Sequence, residues 1–285
     1  IINKYFAEQE GTISFFPEKY LTKEFPGHRI EIKKVSVFDF LKGKEWIPTA
    51  KPVAQLGALP LILGTIWVSL GAILLALPLG LMVAIYLSEI ASKRMKQFVK
   101  PLIELLAGIP SVVYGFFGLV VLVPMIQKLF KLDVGETALS GSIILGIMAL
   151  PTIITIAEDS ITAVPKVMRE ASLALGANKW QTIYKVILPY ASSGITAAIV
   201  LGIGRAMGET MAVIMVTGNA ASIPHTYLQP VRTIPATIAA ELGEAPYGGL
   251  HFQALFALGC ILFIITMIFN IYVGYIKNKN KIISG

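Results

Sequence analysis

Five stretches of this chain are long, apolar and almost free of charge, and no other feature limits the possible folds so sharply. Residues 52–88, 105–127 and 137–157 carry no charged side chain. A fourth stretch covers 186–204 and continues past Arg205 and Glu209 to about Thr217. A fifth covers 245–276; His251 is its only acidic or basic residue, and the span proper is expected to start near Phe252. A helix needs roughly 20 apolar residues to cross the hydrocarbon of a bilayer. One such stretch could be a buried helix of a soluble core, but five in one chain argue against it. The first exceeds a single crossing, so residues 59–87 are expected to cross at a tilt. Pro60 and Pro78 lie inside it, which membrane helices tolerate when neighbours satisfy the freed carbonyls. The expected class is an all-α polytopic membrane protein.

Only 14% of residues are charged, against about 25% in a soluble domain. The net charge of +7 would suit nucleic acid. The basic residues instead cluster at the ends of the apolar runs, so the expected partner is a bilayer and not nucleic acid. Lys93, Arg94, Lys96 and Lys100 separate runs one and two. Lys166, Arg169, Lys179 and Lys185 separate runs three and four, and Lys277, Lys279 and Lys281 follow run five. These connections share one side and are the basic ones, so they are expected in the cytoplasm. The opposite connections carry little basic charge, with Lys131 in one and Arg232 in the other. The C-terminus is then inside and residues 1–51 outside. That polar N-terminal segment alternates Lys/Arg with Glu/Asp; Ile30, Ile32, Val35 and Val37 within it are weak strand candidates. An outside start with an odd number of spans leads us to expect a further helix upstream of Ile1. No leader is visible, because Lys4, Glu8 and Glu10 interrupt any apolar core.

The loop between runs three and four carries a specific pattern. Pro165 suits the first turn of a helix and Gly176 the residue just past its end. A second short helix is expected over about 179–188, so the loop could serve as a docking knob or be an ordinary surface connection. Glu170-Ala171-Ser172, then Gly176, then Val186-Ile187-Leu188-Pro189 resembles the EAA loop of ABC-importer permeases. Ser172 departs from the second Ala of that pattern and Val186 from its Ile. The resemblance implies that Glu170, Ala171, Ser172, Gly176, Leu188 and Pro189 dock on a cytoplasmic ATPase. Residues 107–115 (AGIPSVVYG) and 204–213 (GRAMGETMAV) are similar to the phosphate permeases, and Gly-Glu-Thr-Met-Ala-Val to their PstC-type subunit. The likeness covers roughly 38–275. It implies a MetI-like permease core with six spans per subunit, of which five are visible here. It also implies a sister permease subunit, cytoplasmic ATP-binding subunits, an extracytoplasmic phosphate-binding protein and inorganic phosphate as cargo. The expected organisation is an extracytoplasmic segment over 1–56, a permease domain over 57–277 and a cytoplasmic tail over 278–285 in the cell membrane.

Arg205 and Glu209 are the chemically informative pair. An ionised side chain at mid-membrane costs about 2.5–3.5 kcal/mol on insertion scales. Four residues apart on one helix, the two would share a face and reach each other. Gly202, Gly204 and Gly208 would let another backbone approach closely. One reading is a translocation pathway: the guanidinium fork fits an oxyanion, and Glu209 tempers its grip. The other is a structural ion pair between helices or subunits. The resemblance implies that transport depends on both residues.

Glu89, Glu104, Glu158 and Asp159 are expected to be solvated helix-end charges, and Cys260 a small buried residue. His28, His225 and His251 share no metal-ligand spacing, so no metal or cofactor is expected. No G-x-x-x-x-G-K-[ST] pattern occurs, so ATP hydrolysis is expected in a separate subunit. The alternatives are a permease for molybdate or tungstate, an ATP-independent channel or secondary transporter, and a membrane enzyme. No internal repeat supports the channel, and no convergent catalytic residues support the enzyme.

Overall fold

The computed structural model describes residues 36–50 and 53–283, with side chains through Tyr275. Within it, five helices are long and apolar enough to cross a membrane: Leu59–Ile90, Ser111–Phe130, Ala138–Thr162, Lys179–Gly208 and Leu250–Tyr275. They correspond to the five apolar stretches. In chain order the elements begin with α1 (Val37–Lys42), the short strands β1 (Trp46–Ile47) and β2 (Gln55–Leu56), and α2 (Leu59–Ile85), which ends in a π turn over Tyr86–Ile90. Next come α3 (Lys93–Gly108), α4 (Ser111–Phe117), a π turn over Gly118–Leu122, α5 (Val123–Phe130) and α6 (Ala138–Thr162). Then follow α7 (Lys166–Ala174), α8 (Lys179–Thr182), a π turn over Ile183–Ile187, α9 (Leu188–Gly208), α10 (Met211–Val216), α11 (Ile234–Glu241) and α12 (Leu250–Ile283).

The centre of the bundle is α2 against α6, with α9 also packed on α6. Lipid gives no hydrophobic drive for helix association, so close packing of small residues must supply it. The sequence provides them: Ala72, Ala76 and Ala84 on α2 and Ala149 and Ala157 on α6 are all buried. A Cβ at Gly71 would overlap Ser142 Oγ, and one at Gly194 would overlap Ser160 Oγ, so both contacts require glycine. Ser142 Oγ donates across the interface to the Val68 carbonyl at 3.2 Å. Pro78 and Pro151 lie inside α2 and α6 without ending them.

Three boundaries differ from expectation, each for a local reason. The uncharged stretch starting at Leu105 is two elements: α3 ends at Gly108, and Ile109 and Pro110 are extended before α4 begins. The residue before a proline is driven out of the helical region. In α3, Ile103 is buried, whereas Phe98, Leu102 and Leu105 are exposed. The helix expected over 179–188 is not separate, because the π turn joins α8 to α9 in one helical body. The fourth run does not continue as helix to Thr217: α9 stops at Gly208 and Glu209 is extended (φ −71°, ψ 134°).

The N-terminal elements pack on the bundle. Trp46 pairs with Leu56 and Ile47 with Gln55, making an antiparallel ladder. Phe40, Trp46 and Leu56 bury themselves against Ile234, Leu255 and Leu258. A polar clamp closes this junction around Glu241. Its carboxylate pairs with Arg232 Nη1 at 2.8 Å, lies 2.8 Å from His251 Nε2, and accepts from Trp46 Nε1 at 3.0 Å. Glu241→Gln leaves a largely buried arginine without its counter-charge, at a cost of about 3 kcal/mol. The solubilised protein is expected to melt at a lower temperature; an unchanged melting point would show that the clamp is not structural. The strand candidates Ile30, Ile32 and Val35 lie outside the described residues, and Val37 begins α1.

Candidate functional site

Arg205 occupies the last turn of α9 and is half-buried. Its Nη1 donates to Thr152 Oγ1 of α6 at 3.3 Å. Tyr114 of α4 is buried in the same core cluster as Ala206, the residue after Arg205. Its hydroxyl donates to the Leu106 carbonyl at 2.8 Å, which fixes the ring. Thus α6 and α9 bring the cation and one hydroxyl together, with Tyr114 of α4 buried in the adjoining core. Sequence reasoning missed Thr152 and Tyr114; Tyr114 lies inside the AGIPSVVYG motif, but nothing in spacing pairs it with Arg205.

Glu209 is not where helical spacing would put it. It caps α9 in an extended conformation, and among the described ion pairs and hydrogen bonds it is no partner of Arg205. The shared face expected of the pair is lost because the helix ends one residue too early. Thr210 and α10 follow this break. Gly208 and Thr210, on either side of Glu209, line an open cleft of about 550 Å³ with Pro235, Ile238, Leu242 and Leu262. Of the three glycines, only Gly202 faces a neighbour, Ile153; Gly204 and Gly208 have open space beside them. Among the described residues the Arg205 guanidinium therefore stands without a carboxylate, and Thr152 takes only one of its donors. Such a group in an apolar span is a ready ligand for an anion.

The second constellation is the α7–α8 knob. Gly176 takes φ +84°, the left-handed conformation that a non-glycine residue adopts only at a cost. Its N–H donates to the Leu173 carbonyl at 2.9 Å and that of Ala177 to the Ser172 carbonyl at 3.2 Å, the paired bonds of a Schellman end. Asn178 and Gln181 then exchange side-chain to backbone bonds of 2.8 Å each, starting α8. Ser172 Oγ lies 3.0 Å from Thr182 Oγ1, so the serine that departs from the EAA pattern ties the two helices together. Glu170, Ala171 and Gly176 are exposed; Leu188 is half-buried and Pro189 exposed where α9 begins. Around them Val167, Leu173, Leu175, Trp180 and Tyr184 present large apolar side chains outward, Leu175 with 89% of its surface free. Exposed apolar patches of this kind mark partner surfaces.

Two carboxylates expected to be solvated are not. Glu158 is buried and meets Lys100 Nζ at 3.2 Å, and Glu89 meets Arg169 Nη2 at 2.7 Å. Cys260, expected to be buried, is exposed on α12. Among the described residues no group of three His, Cys, Asp or Glu could hold a metal ion.

The binding-protein-dependent transport system inner membrane component model matches residues 76–282. The chain is 40% identical over 251 residues to the probable ABC transporter permease protein YqgH of Bacillus subtilis, covering 88% of this chain and 81% of that one. It is 39% identical over 250 residues to the phosphate transport system permease protein PstC of Mesorhizobium japonicum, covering 81% and 75%. An inward-facing structure of the MetNI methionine ABC transporter shares the fold, with a TM-score of 0.58 and 18% identity over 79% of this chain and 94% of that one. Five apolar spans, a MetI-like arrangement and a family match over most of its length make this chain a member of the binding-protein-dependent transport system inner membrane component family, a permease subunit of an ABC importer.

Proposed function

We propose that this permease subunit conducts inorganic phosphate inward, past Arg205. The observation that carries the reading is the guanidinium of Arg205 on α9, set against Thr152 of α6 and without a carboxylate partner among the described residues. A planar fork of donors matches a tetrahedral oxyanion, and the Thr152 hydroxyl, which accepts from Arg205, keeps its own proton to donate to a phosphate oxygen. The phosphate permeases among its relatives support the same cargo. Glu209 sits on the break after α9, so it opposes Arg205 only when that break moves. This suits a carboxylate that promotes release in another state of the transport cycle.

The same reading assigns the α7–α8 knob to the cytoplasm, docked through the exposed Glu170, Ala171 and Gly176 on a separate ATP-hydrolysing subunit, with the buried Ser172 bracing the knob from within and Leu188 and Pro189 relaying its motion into α9. The C-terminus is then cytoplasmic. Residues 1–56 are extracytoplasmic, 57–277 form the permease domain and 278–285 the tail. A sister permease subunit completes the pathway, and a phosphate-binding protein delivers the anion from outside.

Radiolabelled phosphate uptake into vesicles carrying the whole importer tests this. Uptake is expected only with ATP on the side of the docking face, and excess unlabelled phosphate should suppress it more than molybdate or tungstate. Uptake that persists without ATP would favour a channel or secondary transporter. Suppression by molybdate at lower concentration than phosphate would reassign the cargo.

A further inference from the structure

We infer that Arg169 is a positioning residue that passes motion of the α7–α8 knob into two membrane spans. The inference rests on the docking role proposed for that knob. Arg169 lies on α7, yet its guanidinium bonds reach out of α7 to two other helices. Nε and Nη2 donate to Glu89 Oε1 at 3.2 and 2.7 Å, in the π turn that closes α2. Nη2 also donates to the Ile161 carbonyl in the last turn of α6 at 2.8 Å, and Nη1 to the Val164 carbonyl in the connection that follows it. The site is mostly shielded: the side chains are 21% and 10% exposed for Arg169 and Glu89. Ile161 and Val164 are buried beneath it, packed with Ala84 and Ile183.

Each of these bonds has a physical reason. The last carbonyls of a helix lack partners within it, and a cation there also meets the negative end of the helix dipole. Glu89 supplies the counter-charge. The guanidinium is planar and rigid, so several bonds in one plane fix orientation as well as distance. Consequently α7 cannot shift relative to α2 and α6 without breaking this set. The other half of the knob, α8, is continuous with α9 through the π turn. A push on the knob thus reaches α9 along the chain, and α2 and α6 through Arg169. Arg205 stands on α9 and its partner Thr152 on α6, so the two routes converge on the anion site. Lys100 and Glu158 form a separate tie between α3 and α6 and do not touch the knob.

The test uses the complete importer in vesicles, with Arg169→Gln, Arg169→Lys and Glu89→Gln made separately. The readout is phosphate taken up per ATP hydrolysed, alongside copurification of the ATPase. Arg169→Gln and Glu89→Gln are expected to keep the ATPase bound and hydrolysing while the ratio falls about tenfold, within the usual range of coupling between sites. Arg169→Lys keeps the charge beside Glu89 but cannot span both carbonyls, so its ratio should fall between. A purely structural arginine would lower yield and both rates together and leave the ratio unchanged. A normal ratio in Arg169→Gln and Glu89→Gln overturns the inference. Should Arg169→Gln fail to assemble, Glu89→Gln, outside the knob, decides alone. Gly176→Asp run in parallel separates the two readings. If it uncouples while the Arg169 and Glu89 variants stay normal, docking stands and the linkage falls; if all behave normally, the docking role falls too.

Discussion

Arg205→Ala is expected to abolish ATP-driven phosphate uptake while the protein still inserts, assembles and retains its melting temperature. In the fold, Arg205 makes one hydrogen bond, to Thr152 at 3.3 Å, and pairs with no carboxylate among the described residues. Removing it costs little packing and spares the roughly 2.5–3.5 kcal/mol that a charge costs at membrane depth. A structural ion pair predicts the opposite, because breaking one strands the other charge. Stability and transport therefore separate cleanly at this position. A charge-assisted hydrogen bond contributes about 1.5–3 kcal/mol, and a bidentate oxyanion contact involves two. Uptake should fall by about two orders of magnitude or more. Arg205→Lys keeps the charge and loses the fork, and should retain a fraction of the activity. Radiolabelled phosphate uptake, with the amount of subunit in the membrane measured on the same vesicles, decides it. Full uptake by the alanine variant would retire the pathway role.

The spans were legible because charge is so costly in lipid that its absence over 20 or more residues points directly to a bilayer crossing. What stayed hidden was set by backbone breaks and by contacts between distant residues. The i, i+4 relation of Arg205 and Glu209 assumes an unbroken helix, and α9 ends between them. Hydropathy averages over Ile109-Pro110, so the end of α3 and the start of α4 merged into one stretch. Glu89 and Glu158 looked like solvated helix ends because their partners, Arg169 and Lys100, come from other elements. The Glu241 clamp joins positions 46, 232, 241 and 251 from four parts of the fold, a grouping that no local pattern encodes. Cys260 lies in an apolar run, but an apolar run in a membrane helix has an outer face as well as an inner one, and Cys260 is on the outer. The Gly176 helix end was legible because its cause is local: a left-handed residue closes the helix, and glycine takes that shape without steric penalty.

Gly176→Asp is the second large effect, and its logic is the reverse of a core substitution. Nothing lies within 4 Å of a Cβ built at Gly176, so the substitution starts into open space and not into the packed bundle. Two local costs remain. The residue must hold φ +84°, which costs a non-glycine residue about 1–2 kcal/mol. A carboxylate at the end of α7 also faces the negative pole of the helix. Both fall on a short surface element and leave the spans alone, so membrane insertion and the melting of the bundle should be unchanged. The docking surface is different. The introduced carboxylate would place a charge beside Leu175 and Trp180, large apolar side chains that the knob turns outward, and burying an unpaired carboxylate against a partner is strongly unfavourable. The expected result is loss of ATPase copurification, or retained binding with ATP hydrolysis no longer driving uptake. Gly176→Asn is the control for backbone strain, since asparagine tolerates the left-handed region and brings no charge. A mild defect in Gly176→Asn with a severe one in Gly176→Asp assigns the effect to the docked surface. Equal defects in both would assign it to the distorted helix end, and normal copurification with normal uptake in Gly176→Asp would remove the knob from the coupling path.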